Sequence, residues 1–89
     1  MNILSTPLFE EALHKILKDF AEEDYEATKK FKLYLDTIII NMPTKAQKYK
    51  QSTYFDDENI KEIPHEAFHI VFYIDEKQNN YLLLNILKK

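Results

Sequence analysis

The residues of this sequence that could do chemistry are few and lie mostly in its second half. His69 sits in an alternating run between Phe68 and Ile70, a strand position from which an imidazole can act as acid or base near neutral pH. Lys45, Lys48, Tyr49, Lys50, Tyr54 and Phe55 interleave ammonium groups with aromatic rings, which is what binding to single-stranded or ribosomal RNA requires. The competing reading is a solvated loop whose aromatic rings dock on the core. The acids Asp56-Asp57-Glu58 lack the glycine and ligand spacing of a calcium loop and read as turn and capping residues. His14, His65 and His69 make no zinc site: His14 falls on the polar side of a helix, and neither a cysteine nor a helical His-x-x-x-His pair supports it. No metal and no cofactor is expected. The chain has no glycine, hence no phosphate-cradling loop, and no spacing that justifies a Ser-His-Asp constellation.

Eighty-nine residues must hold these groups in place. That length allows one hydrophobic core and one domain, residues 1–89, of modest stability, so a partner that covers more apolar surface would matter. Six Phe and six Tyr, with 45% apolar residues, describe a globular chain. The absence of cysteine excludes disulfides and thiolate chemistry and fits a reducing compartment. The longest apolar runs are far too short to span a bilayer, and Met1–Ser5 does not read as the start of a signal peptide. No membrane association and a cytoplasmic location are expected. A formal charge of −3 argues against a general basic field for nucleic acid. All twelve basic residues are Lys, so the planar guanidinium fork that grips phosphates bidentately is missing.

Thr6-Pro7 signals a helix start, and Leu8, Phe9, Ala12, Leu13, Ile16, Leu17 and Phe20 follow at helical spacing. Asp24 offers a second N-cap, after which Ala27, Phe31, Tyr34, Leu35, Ile38 and Met42 extend a second stripe until Asn41-Met42-Pro43 ends it. The two form a helical hairpin joined around Ala21–Glu23. Beyond Pro43 the period changes to 2. Ile60–Ile63, Phe68–Ile74 and Tyr81–Leu87 read as strands, the first two joined at Pro64-His65-Glu66 and the last two by a polar turn in which Asn79 or Asn80 takes positive φ. Asn2–Ser5 supplies a short first strand, and Lys45–Ser52 with Asp56–Glu58 forms a charged loop or irregular strand. The predicted class is α+β, in the order β-α-α-β-β-β, with the hairpin packed on a small, mostly antiparallel sheet.

Phe68, Ile70, Phe72 and Ile74 with Leu82, Leu84 and Ile86 are the expected helix-facing set. The opposite face would then carry Lys61, His69, Val71, Tyr73, Tyr81, Leu83 and Asn85, a half-apolar surface suited to binding. A covering C-terminal tail or a homodimer contact would account for it equally well.

The order of elements and the stretches Ile60-Lys61-Glu62-Ile63, Phe68–Ile74 and Leu82–Ile86 resemble the RelE/ParE superfamily of toxins from type II toxin–antitoxin modules. The resemblance spans nearly the whole chain. It is most specific in Lys50-Gln51-Ser52-Thr53-Tyr54-Phe55-Asp56-Asp57-Glu58-Asn59-Ile60, which is similar to a segment of the bacterial subgroup labelled plasmid-stabilisation or RelE-like proteins.

The resemblance implies a growth inhibitor neutralised by a cognate antitoxin that wraps over its exposed surface, as a homodimer or as a heterotetramer with that antitoxin. It also implies one of two targets: DNA gyrase, inhibited by binding, or mRNA cleaved on the ribosome by an endonuclease (mRNA interferase) activity. His69 stands where the family's arginine is usual, Lys61 matches a basic position, and Leu87-Lys88-Lys89 replaces the closing His-Arg or His-Tyr element. An endonuclease would use Lys61, His69 and Tyr73, with Lys45, Lys48, Lys50, Tyr81 and Asn85 holding RNA or another target. The missing arginine, the acidic charge and the absent C-terminal pair favour ParE-like inhibition of gyrase. A decayed, nontoxic member serving as a binding protein is the third reading.

Overall fold

A computed structural model of the chain describes residues 2–53 and 55–88. Tyr54, one of the stacking aromatics named above, lies outside the described residues, as do Met1 and Lys89. The elements are β1 (Asn2–Ser5), α1 (Pro7–Glu23), α2 (Tyr25–Lys45), a 3-10 turn (Ala46–Lys48), β2 (Lys50–Gln51), β3 (Ile60–His65), β4 (Phe68–Asp75) and β5 (Asn80–Lys88). The architecture is α+β, with two helices on one face of a five-stranded sheet of order β1-β5-β4-β3-β2. Only the β1–β5 pairing is parallel; the others are antiparallel.

The α1 and α2 ends follow from side-chain chemistry. Thr6 caps α1, its Oγ1 accepting from Phe9 N at 3.2 Å, and Pro7 opens the first turn. A single extended residue, Asp24, joins the helices. Its N–H donates to Phe20 O at 2.8 Å to close α1, and its Oδ1 accepts from Ala27 N at 3.1 Å to open α2. The joint is therefore tighter than the turn around Ala21–Glu23 that the sequence predicts. α2 also runs past Pro43 to Lys45, because Met42 and Ala46 are buried in the core and hold the last turn although the proline removes an N–H.

The core unites Phe9 and Leu13 of α1, Phe31, Leu35 and Met42 of α2, and Ile63, Phe68, Ile70, Phe72, Ile74, Tyr81, Leu83 and Ile86 of the sheet. Burying each large apolar side chain stabilises the fold by roughly 1.5–3 kcal/mol. Phe20, Phe31 and Phe68 meet edge to face, with centroids 5.2–5.9 Å apart. His65 leans on the Phe31 ring with centroids 4.9 Å apart.

One irregularity decides which side chains leave each face. Val71 pairs with Asn85, but Phe72 pairs with Leu83, so Leu84 is an extra residue in β5. The bulge reverses the phase expected of β5: Tyr81 and Leu83 face the helices, and Leu82 faces away. Thr6 fastens α1 to this bulge. Its N–H donates to Leu83 O at 3.0 Å, and its hydroxyl lies 3.0 Å from both Leu83 O and Leu84 O.

With no glycine in the chain, the tight turns use other residues at positive φ. Asn79 (58°) turns β4 into β5, as its chemistry predicts, and Glu66 (53°) turns β3 into β4. Pro64 extends β3 at a point beyond the reach of β2, which pairs only with Lys61 and Glu62, so its missing N–H removes no bond on that edge.

Candidate functional site on the outer sheet face

Strand registers fix the outer face row by row. Core residues Phe72 and Ile74 flank Tyr73, and Ile70 flanks His69, so Tyr73 and His69 point away from the helices. Pairing then assigns Leu4, Leu82, Tyr73 and Ile60 to one row, Asn85, Val71, Glu62 and Lys50 to the next, and Leu87, His69 and Pro64 to the third.

The second and third rows meet in a cavity of about 370 Å³ lined by Lys48, Tyr49, Lys50, Glu62, Pro64 and His69. Glu62 is the buried group in it, its side chain 9% exposed, and its Oε1 lies 3.8 Å from His69 Nδ1. Its Oε2 accepts a long bond from Thr53 N at 3.4 Å, while Oε1 has no hydrogen-bond partner among the described residues. The His69 side chain is 26% exposed, open enough to meet a ligand. Lys48 and Lys50 are exposed and enter no ion pair among the described residues. The arrangement offers a carboxylate able to accept a proton, an imidazole beside it and two ammonium groups for an anion.

The structure does not assemble the set read from the sequence. Lys61 lies opposite Phe72 in the ladder and leaves the sheet on the helix side, so it is parted from His69 by the sheet itself. The error has a local cause: Ile60 and Ile63 are three apart, a spacing that leaves the phase of β3 open until Ile63 pairs with Ile70. Tyr73 shares the outer face with His69 but stands four residues along β4, about 13 Å away at strand rise. Tyr81 is only 5% exposed and belongs to the core, which removes it from any surface site. Asn85 does face outward, and its Oδ1 accepts from Ile86 N at 2.8 Å beside the bulge. Lys45 sits in the last turn of α2 and does not line the cavity that Lys48 and Lys50 border. Glu62 was missed because an acid between Lys61 and Ile63 reads as ordinary strand surface; only the β3 register reveals it under His69.

Among the described residues no group of three or more His, Asp or Glu side chains could hold a metal ion. Among the described residues, too, no helix is long and apolar enough to cross a membrane.

No protein-family model matches the chain, and no curated protein matches it. Solved structures do. A chain of the chromosomal ParDE toxin–antitoxin system from P. aeruginosa superposes with a TM-score of 0.78 at 13% identity, covering 99% of this chain and 95% of that one. A chain of the toxin–antitoxin complex RelBE2 from Mycobacterium tuberculosis superposes with a TM-score of 0.67 at 8% identity, covering 99% and 96%. At such identities the likeness is one of fold over the full length.

Proposed function

We propose that this chain, whose fold is RelE/ParE-like, is the toxin of a type II toxin–antitoxin module, neutralised by a cognate antitoxin, and that it inhibits DNA gyrase by binding rather than by catalysis. The toxin assignment is supported by full-length likeness to components of two toxin–antitoxin systems together with the Lys50–Ile60 segment. The observation that carries the choice of target is the separation of Lys61 from His69 by the sheet. Cleavage of a phosphodiester needs a proton acceptor, a proton donor and a cation at the developing charge within one site. With Lys61 on the helix side, Tyr73 about 13 Å from His69 and no arginine, the expected catalytic set is dispersed. Binding inhibition asks only for a shaped surface.

Inhibition of purified gyrase tests this reading. The chain is expected to block ATP-dependent supercoiling of a relaxed plasmid, with relief on adding the antitoxin. Full supercoiling at an excess of folded chain would refute it.

A second reading rests on a different observation. Glu62 beside His69, with Lys48 and Lys50 at the rim, is a compact acid–base arrangement that could serve a ribosome-dependent mRNA endonuclease. In that reading Glu62 accepts the 2′-hydroxyl proton, His69 protonates the leaving oxygen and the lysines hold the phosphate. Toe-printing of mRNA in a translation reaction separates the two readings, since only this one produces cuts at the ribosomal position.

A further inference from the structure

The cavity of about 370 Å³ beside His69 contains polar groups whose bonding capacity the chain leaves unused. Glu62 is 8% exposed, yet its Oε1 accepts no hydrogen bond among the described residues, and its Oε2 accepts only the long 3.4 Å bond from Thr53 N. Lys50 is its partner across the β2–β3 ladder, where a counter-ion would stand, but the two form no ion pair among the described residues. Lys48 and Lys50 are instead exposed in the cavity wall. A buried acceptor without a donor is unfavourable until one reaches it, and two ammonium groups in one wall attract an anion.

These two features together select a ligand. A metal ion is poorly served by one carboxylate facing two lysines, and among the described residues no group of three or more His, Asp or Glu side chains could hold one. An arginine or lysine side chain would satisfy Glu62 but is repelled by Lys48 and Lys50. The complementary molecule carries neutral N–H donors at one end and negative charge at the other. Of the RNA bases, guanine alone presents two adjacent donors, N1–H and the N2 amine, which a carboxylate accepts side by side. Adenine and cytosine place a ring acceptor beside their amine, and uracil flanks its N–H with two carbonyls, so each sets a lone pair against Glu62. His69, Tyr49 and Pro64 line the cavity with flat surfaces against which a base can lie. The volume falls within the roughly 300–1,000 Å³ usual for small-ligand pockets.

We infer that this cavity binds a guanine nucleotide: Glu62 accepts from N1–H and the N2 amine, the His69 ring turns outward to admit the base and stacks on it, and Lys48 and Lys50 hold the phosphate. Glu62 is then a recognition group and not the proton acceptor of the endonuclease reading. The inference rests on neither choice of target, and its test does not read toxicity.

The test is an NMR titration of the full chain with the 5′-monophosphates of guanosine, inosine and adenosine. The guanine nucleotide is expected to bind saturably and to move the ring signals of His69, leaving those of His14 on α1 and of His65, which lies against Phe31, in place. The adenine nucleotide is expected to bind about tenfold or more weaker, with the inosine nucleotide, which lacks the N2 amine, between them. E62Q is expected to erase the preference for guanine over adenine. K48A with K50A is expected to weaken the nucleotide about threefold at low salt while leaving guanosine itself unchanged. Each variant is first checked for a cooperative melt; if E62Q unfolds, the comparison of the three bases on the parent chain decides. A guanine-containing single-stranded RNA trimer separates the sources within the inference: tighter binding than the mononucleotide assigns the site to RNA, and weaker binding assigns it to the free nucleotide. Equal binding of the guanine and adenine nucleotides, or no shift at His69, overturns the inference. Displacement of the guanine nucleotide by arginine amide also overturns it, by making the cavity a seat for a protein side chain.

Discussion

Glu62 and His69 meet diagonally. Glu62 pairs in the ladder with Val71 and His69 pairs with Pro64, yet Glu62 Oε1 comes within 3.8 Å of His69 Nδ1. A buried carboxylate with one oxygen lacking a hydrogen-bond partner among the described residues is a costly feature, so its removal is informative. Under gyrase inhibition by binding, E62Q and H69A proteins that fold normally are expected to stay toxic within a few-fold of the parent. Growth curves after induction at matched protein levels make the check, and loss of toxicity in both variants would move the account to the endonuclease.

Asp24 ends one helix and begins the next. Asp24→Ala removes the side-chain acceptor for Ala27 N, and the expected cost is about 1 kcal/mol, as for other N-caps. Urea unfolding followed by circular dichroism measures it. Asp24→Asn, which keeps the acceptor, is expected to recover most of the loss.

Thr6 does more than cap. Its hydroxyl accepts from Phe9 N and also reaches the carbonyls of Leu83 and Leu84 at the β5 bulge. Thr6→Val keeps the shape but removes these bonds, and a loss of roughly 1–2 kcal/mol is expected. A loss indistinguishable from zero in denaturant titration would show that the bulge does not depend on α1.

Glu66 occupies a positive-φ position where its Cβ is unfavourable. Glu66→Gly is expected to stabilise the protein by about 1 kcal/mol, since the relief of roughly 1–2 kcal/mol is partly offset by the greater freedom of glycine in the unfolded chain. Its melting temperature should rise by several degrees, which differential scanning calorimetry can read. The gain would be unusual for a change in a chain that contains no glycine at all.

Local chemistry made much of this fold legible in the sequence. The hydroxyl and carboxylate of Thr6 and Asp24 mark the helix starts, the helical spacing of Phe9, Leu13, Phe31 and Leu35 marks the buried stripes, and Asn79 marks a turn. What escaped depends on partners distant in the chain. The extra residue Leu84 is visible only when β4 and β5 are paired, and it alone moves Tyr81 and Leu83 into the core. Lys61 went to the wrong face because the β3 phase depends on Ile63 meeting Ile70. Glu62 escaped for the same reason. The short β2 strand, Lys50–Gln51, was open to either a loop or a strand reading, and two pairings with β3 decide it.

The most direct test of the central claim is pulse incorporation of labelled thymidine and methionine within minutes of inducing the chain in a bacterial host. Inhibition of gyrase predicts that thymidine incorporation falls first while methionine incorporation continues. Collapse of methionine incorporation ahead of thymidine would contradict it and make Glu62, His69, Lys48 and Lys50 the residues of a ribonuclease.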